Sequence, residues 1–182
     1  GAIFFNAHFT APWCVESPGG ASLAQTLGVG AERVLLYHYM VEGSCLVTLE
    51  GMTPRRLNAS DVIVFPHGDA HTMSSAPGMK GTPDLTVYRR PGTGQLPFSM
   101  SMGDNAGTPA HIVCGYLGCD ATPFNPLLAA LPRVLHVGSQ SNGAIATFVQ
   151  FAMAEANQRR PGSEAVLGHL SELMFVDVVR RY

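Results

Sequence analysis

The sequence predicts a mainly β protein with α: a small β-barrel over residues 1–122, then a helical segment over 123–182. That segment reads as a short helix plus a helix hairpin packed on the barrel. Three observations predict this. Glycine and proline interrupt the first two thirds roughly every 8 to 12 residues, with short β-branched and aromatic runs between them, the rhythm of a barrel or sandwich. From Asn125 onward the apolar period shifts towards 3.6. Finally, 182 residues, 46% hydrophobic and 13% charged, suffice to bury one core and leave too little for a second full domain.

Taken in order, the strands expected from these runs are Ala2 to Phe9, Arg33 to Val41, Cys45 to Glu50, Asp61 to Phe65, His71 to Ser74, Asp84 to Arg89 and His111 to Tyr116. The segments between them are rich in turn residues. In the strand from Arg33, alternation places Leu36, His38 and Met40 on one face and Tyr37 and Tyr39 on the other. His38 is then the one ionisable group on an apolar face, and Gly43 closes a hairpin that returns through Cys45 to Leu49. Pro126 to Leu131 predicts a short helix with proline in its first turn, and Asn142 to Arg159 a longer one. Arg159-Arg160-Pro161-Gly162 breaks the chain into a hairpin. The last helix starts from Ser163 as N-cap with Glu164 in its first turn, carries a stripe of Val166, Leu167, Leu170, Leu173, Met174, Val176 and Val179, and ends on Arg180 and Arg181, which suit its C-terminal dipole.

The charge balance excludes one class of partner. Eleven Lys+Arg against 13 Asp+Glu give a net charge of -2, so no basic surplus exists to neutralise phosphates, and this segment is a poor DNA binder. Cys14, Cys45, Cys114 and Cys119 are irregularly spaced in a chain that does not need staples, which predicts reduced thiols and a cytoplasmic location. No window approaches the roughly 20 apolar residues of a membrane helix, and the start lacks a basic region followed by a long apolar stretch, so no membrane partner is expected.

The run from Ser60 through Asp61-Val62-Ile63-Val64-Phe65-Pro66-His67-Gly68 to His71 and Ser75 is the most informative. It resembles the second cupin motif, G-x5-P-x-G-x2-H-x3-N: Pro66, Gly68 and His71 match in spacing, Ser60 replaces the leading glycine, and Ser75 sits at the asparagine position. The first cupin motif is not satisfied. Counting back from Gly43 puts its glutamate at Leu36, and its histidine pair near Val29 to Ala31, where there is none. A standard three-histidine, one-glutamate metal site is therefore absent, which weighs against a stand-alone dioxygenase or isomerase of this fold.

Together with the APW near residue 12, YHYMVEGSC, HIVCGYLGCDATPFNPLLAALPRVLHV and RPGSEAVLGHLSELMFVDVVRRY, the chain resembles the cupin-type N-terminal domain of AraC-family transcription regulators over nearly its full length. The resemblance implies a cupin-like jelly-roll barrel with a helical hairpin, sensing a small effector or forming a homodimer, and no catalytic residues. DNA would be contacted only through a helix-turn-helix half that would begin about where the chain stops, at Tyr182; no such pattern occurs in these residues.

For the site, the inward face makes His38, Met40 and His71 the candidate effector contacts. His38, His71 and Cys119 are the candidate ligands of a divalent metal such as zinc, against the alternative that both histidines are hydrogen-bonded core residues. Cys114 and Cys119 share a face only if Gly115 or Gly118 makes a bulge, and a meeting of His8, Cys14, His71 and one of these thiols stays open. Phe5, Phe9, Trp13, Tyr37, Tyr39 and Tyr116 are core with some pocket-lining members, and His67, Asp69 and Glu42 are expected at the surface. Leu167, Leu170 and Met174 serve the core and, by the resemblance, a dimer seam. A barrel that only dimerises, without a ligand, fits the same residues.

Overall fold

The structure is a computed structural model that describes residues 2–28, 30–88, 98–103, 106–120, 125–141, 143–158 and 160–182. In chain order its elements are β1 (Ala2–Thr10), β2 (Cys14–Ser17), α1 (Gly20–Leu27), β3 (Arg33–Glu42), β4 (Ser44–Leu49), β5 (Arg55–Asn58), β6 (Val62–Phe65), β7 (His71–Ser74), β8 (Phe98–Met102), β9 (Pro109–Cys119), α2 (Pro126–Ala130), β10 (Leu135–Val137), α3 (Gly143–Gln158) and α4 (Ser163–Arg181). The fold is mainly β with α.

A six-stranded sheet in the order β10-β6-β3-β9-β1-β8 faces a four-stranded sheet in the order β2-β7-β4-β5. Among the described residues every pairing is antiparallel except β1 with β8. The apolar runs of β3 and β9 are the longest, and they pair at the middle of the larger sheet, where both faces are covered. One face looks across the lumen to the smaller sheet. The other is covered by α4, which packs on β1, β6, β9 and β10 and is backed by α3.

Several local expectations need correction. Asp84 to Arg89 is not a strand: Leu85–Tyr88 forms a 3-10 turn, because Asp84 Oδ1 accepts from both the Thr86 amide (2.8 Å) and the Thr86 hydroxyl (2.6 Å); Arg89 lies outside the described residues. Ser163 does not cap α4. Gly162 (φ 87) takes the N-cap position, so Ser163 is already the first helical residue, and its hydroxyl donates to Glu155 Oε1 at 2.6 Å. The expected stripe is also too broad: Leu167, Leu170, Met174 and Val178 are buried, but Leu173 and Val176 are 51% and 50% exposed.

Three strands and a helix, β2, β5, β8 and α1, come from segments that read as turn-rich, and a fourth unexpected strand, β10, does not. The most consequential is β10. It arises inside the segment expected to be helical and pairs with β6, so the second part of the chain extends the barrel sheet. The boundary between 122 and 123, like the helix ends at Asn142 and Arg159, falls outside the described residues. The short helix α2 forms as its sequence predicts, with Asn125 Oδ1 accepting from the Leu128 amide at 3.2 Å and proline in the first turn.

Candidate functional site

Alternation along β3 turns His38 into the lumen and Tyr37 away from it. The two faces are identified by their partners: His38 lines the space between the sheets, whereas the Tyr37 hydroxyl meets Ser171 of α4 at 2.8 Å. The Tyr37 ring also lies across Gly115, where a Cβ would sit 1.9 Å from it. Gly115 is thus a seat for an aromatic ring and not a bulge. Over β3 and β9 the register is continuous from Arg33 opposite Cys119 to Met40 opposite Ile112, so Cys114 and Cys119 face opposite ways.

His71 arrives from the other sheet. Ser60 takes φ 68, the left-handed conformation for which the motif uses glycine, and Gly68 takes φ 69. A Cβ on Gly68 would lie 2.5 Å from the Val34 carbonyl oxygen, because the turn is pressed against the start of α1, where the Gly20 amide donates to the Gly68 carbonyl at 2.7 Å. Beyond that turn His71 opens β7 between Ser17 of β2 and Leu49 of β4, with its ring stacked on Phe65 at 3.8 Å between centroids.

The two histidines meet. His38 Nε2 lies 2.8 Å from His71 Nε2, His38 Nδ1 lies 2.9 Å from Cys114 Sγ, and His71 Nδ1 lies 2.9 Å from the Asp69 carbonyl oxygen. A carbonyl only accepts, so His71 Nδ1–H donates to it and neutral His71 offers a lone pair at Nε2. His38 must then donate through Nε2–H, and its bare Nδ1 accepts from the Cys114 thiol. The result is a one-way chain, Cys114 to His38 to His71 to the Asp69 carbonyl, satisfied with every member neutral.

Electrostatics agree with that assignment. Burial, then the neighbouring His71, holds His38 well below the usual imidazole range. Burial lowers His71 to about 4, partly offset by the Asp69 carbonyl, and burial pushes the Cys114 thiol up. At neutral pH the chain carries no charge.

This arrangement does not assemble a metal centre. Only two imidazole nitrogens converge, the thiol sits on the other nitrogen of His38, and among the described residues no group of three His, Cys, Asp or Glu side chains is placed to hold an ion. Cys119, a candidate ligand from sequence, is opposite Arg33 at the far end of β3 and does not reach His38. Met40 is fully buried on the inward side but is not part of the cavity wall. His8 stacks on His111 at 4.1 Å and Cys14 pairs opposite Ser74, so neither joins His71. His67 and Asp69, expected at the surface, are half-buried, because His67 Nε2–H donates to the Leu131 carbonyl at 2.8 Å and Asp69 Oδ1 accepts from Arg133 at 2.7 and 2.9 Å.

Between the sheets lies a small cavity of ≈ 20 Å³, room for about one water. Its wall is almost entirely apolar: Phe5, Phe9, Trp13, Val15, Met73, Met100 and Ile112, with His38, Cys114, Ser17, Tyr88 and Tyr116 supplying the polar atoms. Tyr37 and Tyr39 are core instead. Sequence reasoning missed Ser17, Met73, Tyr88, Met100 and the partnership of Cys114 with His38. The opposition of His38 and Cys114 follows from the β3–β9 register, and no local pattern states that register.

Comparisons with known proteins agree with this architecture. The family described as Cupin matches residues 1–182. The HTH-type transcriptional regulator AlkR of Acinetobacter baylyi is 25% identical over 154 residues, 82% of this chain and 50% of that protein. Among solved structures, an apo ToxT variant from Vibrio cholerae strain SCE256 superposes with a TM-score of 0.50 at 10% identity, covering 100% of this chain and 56% of that one. Wild-type ToxT with bound unsaturated fatty acid gives 0.48 at 10% identity, covering 100% and 55%. The chain spans about half the length of the relatives it matches.

Proposed function

The chain belongs to the cupin family, and from that premise we propose that it is the effector-sensing and dimerising domain of a transcription regulator of the AraC type. A physical link between the lumen and the helical segment carries this reading. His71 holds the Asp69 carbonyl; the Asp69 carboxylate holds Arg133, which also donates to the Glu50 carbonyl at 3.1 Å; and His67 holds the Leu131 carbonyl. Leu131 and Arg133 stand between α2 and β10, on the path to the α3–α4 hairpin. A ligand that moves the His71 ring pulls on the turn to which this linker is tied, so occupancy and the placement of the hairpin are coupled free energies.

Similarity to an HTH-type transcriptional regulator supports the assignment, and contact with DNA belongs to a helix-turn-helix unit of such a regulator. The domain division follows: a sensing barrel, and a helical segment that reports on it. Leu167, Leu170 and Met174, expected at a dimer seam, are buried within the chain, whereas Phe151 on α3 and Leu173 and Val176 on α4 are about half exposed, and their pairing with the same residues of a second copy makes an isologous seam. No turnover is part of this role, and the histidines act as hydrogen-bonding groups. Four free cysteines suit a cytoplasmic setting; no described helix is long and apolar enough to cross a membrane.

Metal content and mass in solution test this. Elemental mass spectrometry of unchelated protein is expected to find no stoichiometric metal, and ultracentrifugation to find a dimer that Leu173→Glu with Val176→Glu dissociates. A stoichiometric metal lost in His71→Ala would overturn the non-enzymatic assignment, and a monomer would remove the seam.

A further inference from the structure

The lumen itself specifies the chemistry of what enters it. Its wall contains no Lys, Arg, Asp or Glu among the described residues, so an ion placed there would lose its hydration with no counter-charge in return. His38 cannot act as a cation, because burial and His71 hold it neutral, and both its ring nitrogens are already used within the chain from Cys114 to His71. One hydrogen-bonding group is left over. Ser17 is 5% exposed and borders the cavity, and its hydroxyl makes no hydrogen bond of regular geometry; the Tyr88 hydroxyl is a hydrogen-bond neighbour in distorted geometry, which leaves Ser17 without a full partner.

A buried hydroxyl left unmatched is unfavourable, so its position at an apolar cavity has a chemical meaning. We propose that the lumen binds a small uncharged molecule with an apolar body and a single hydroxyl or carbonyl head, which the Ser17 hydroxyl engages. The inference rests on the lumen being the effector site and adds to it the class of effector. The apolar body packs against Phe5, Phe9, Trp13 and Ile112, and Met73 and Met100 supply the adaptable wall that lets a ≈ 20 Å³ space open for a larger guest. The head group accepts from or donates to Ser17, completing its hydrogen bonding. A carboxylate is refused because nothing in the wall balances it.

Three matched probes test this on the whole chain: toluene, benzyl alcohol and benzoate, each titrated while the methyl resonances of Met73 and Met100 are followed by NMR. Removing an unmatched hydroxyl does not destabilise a fold, so Ser17→Ala is a usable variant. Toluene and benzyl alcohol are expected to shift both methionine methyls, and Ser17→Ala to weaken benzyl alcohol by about three- to tenfold while leaving toluene unchanged or tighter. Benzoate is expected to bind on the order of a hundredfold more weakly than benzyl alcohol. Equal effects of Ser17→Ala on toluene and benzyl alcohol, or benzoate binding as well as the alcohol, would overturn the head-group assignment and leave the lumen as a ligand site. Failure of all three probes to move either methionine would overturn the lumen as effector site, and the present inference with it.

Discussion

Two buried polar clusters in this molecule solve the same problem in opposite ways. In the lumen, Cys114, His38, His71 and the Asp69 carbonyl are joined in a chain that is neutral throughout. In the hairpin, Glu155 of α3 keeps its charge: the Ser163 hydroxyl donates to it at 2.6 Å and the Arg160 guanidinium at 2.5 Å, and these partners hold its carboxyl below the usual carboxylate range. Glu155 is covered mainly by its own hairpin neighbours, with Arg160 58% exposed beside it, so solvent lies close and desolvation is the lesser influence. His38 has no such outlet. Distance from water decides whether a buried polar group is stabilised by charge or by neutrality.

Acid separates the two clusters most strongly. Folded His38 and His71 bind protons more weakly than in the unfolded chain, so stability is level above pH ~6.5 and falls as pH drops below it, by about 1.4 kcal/mol per pH unit for each histidine. For His71 the loss continues to about pH 4. Glu155 has the depressed pKa of a paired carboxylate, so its contribution is kept above the unfolded carboxylate value and lost only below it. Urea unfolding at stepped pH is expected to show the first slope between pH 6.5 and 4. Hydrogen exchange at pH 5 should find the amides of β3 and β7 losing protection before those joining α3 to α4.

Cutting the lumen chain has the next largest effect. His38→Ala leaves a cavity, an unpaired thiol and an unpaired His71 nitrogen, and is expected to destabilise by about 3 kcal/mol in denaturant titration. In a cycle with His71→Ala the two losses should fall well short of additive, since either removal breaks the same bond. Additive losses would mean the ring-to-ring contact contributes nothing. On the opposite face of β3, Tyr37→Phe removes only the bond to Ser171, expected to lower stability by about 1 kcal/mol with the lumen unaffected. The smallest change is Glu155→Gln. Its partner Arg160 is largely in solvent, so the melting temperature should fall less than in Tyr37→Phe, and the difference from the parent should shrink in high salt.

Much of the barrel was readable because its strands carry strong local signals. The run from Arg33 to Val41 is apolar and buried on both faces, so strand geometry separated His38 and Met40 from Tyr37 and Tyr39, and the position of His38 two residues after the motif's glutamate site named the inward face. The P-x-G-x2-H turn was readable because a left-handed glycine and a proline leave a fixed trace in sequence, and Ser60 shows the conformation persisting where the glycine does not. The segment at 84–88 misled because its apolar residues look like a strand, whereas one carboxylate, Asp84, holds a turn. β10 is three residues long, too short for any period to register, and pairing with β6 makes it a strand.

The candidate site divides along the same line. Residue type, strand period and turn chemistry along the chain are local, and they were enough for a mainly β fold and a helical hairpin, with the cupin-like motif naming which face of β3 turns His38 inward. Which thiol would stand beside that histidine was not local. Cys114 and Cys119 differ by five residues on one strand, and the continuous β3–β9 register sends one to His38 and the other to Arg33. Ser17, Met73 and Tyr88 reach the cavity wall from segments far apart in sequence, through contacts between the sheets and their loops. The neutrality of the histidines was equally invisible, because it comes from water excluded by side chains that meet only when the barrel closes.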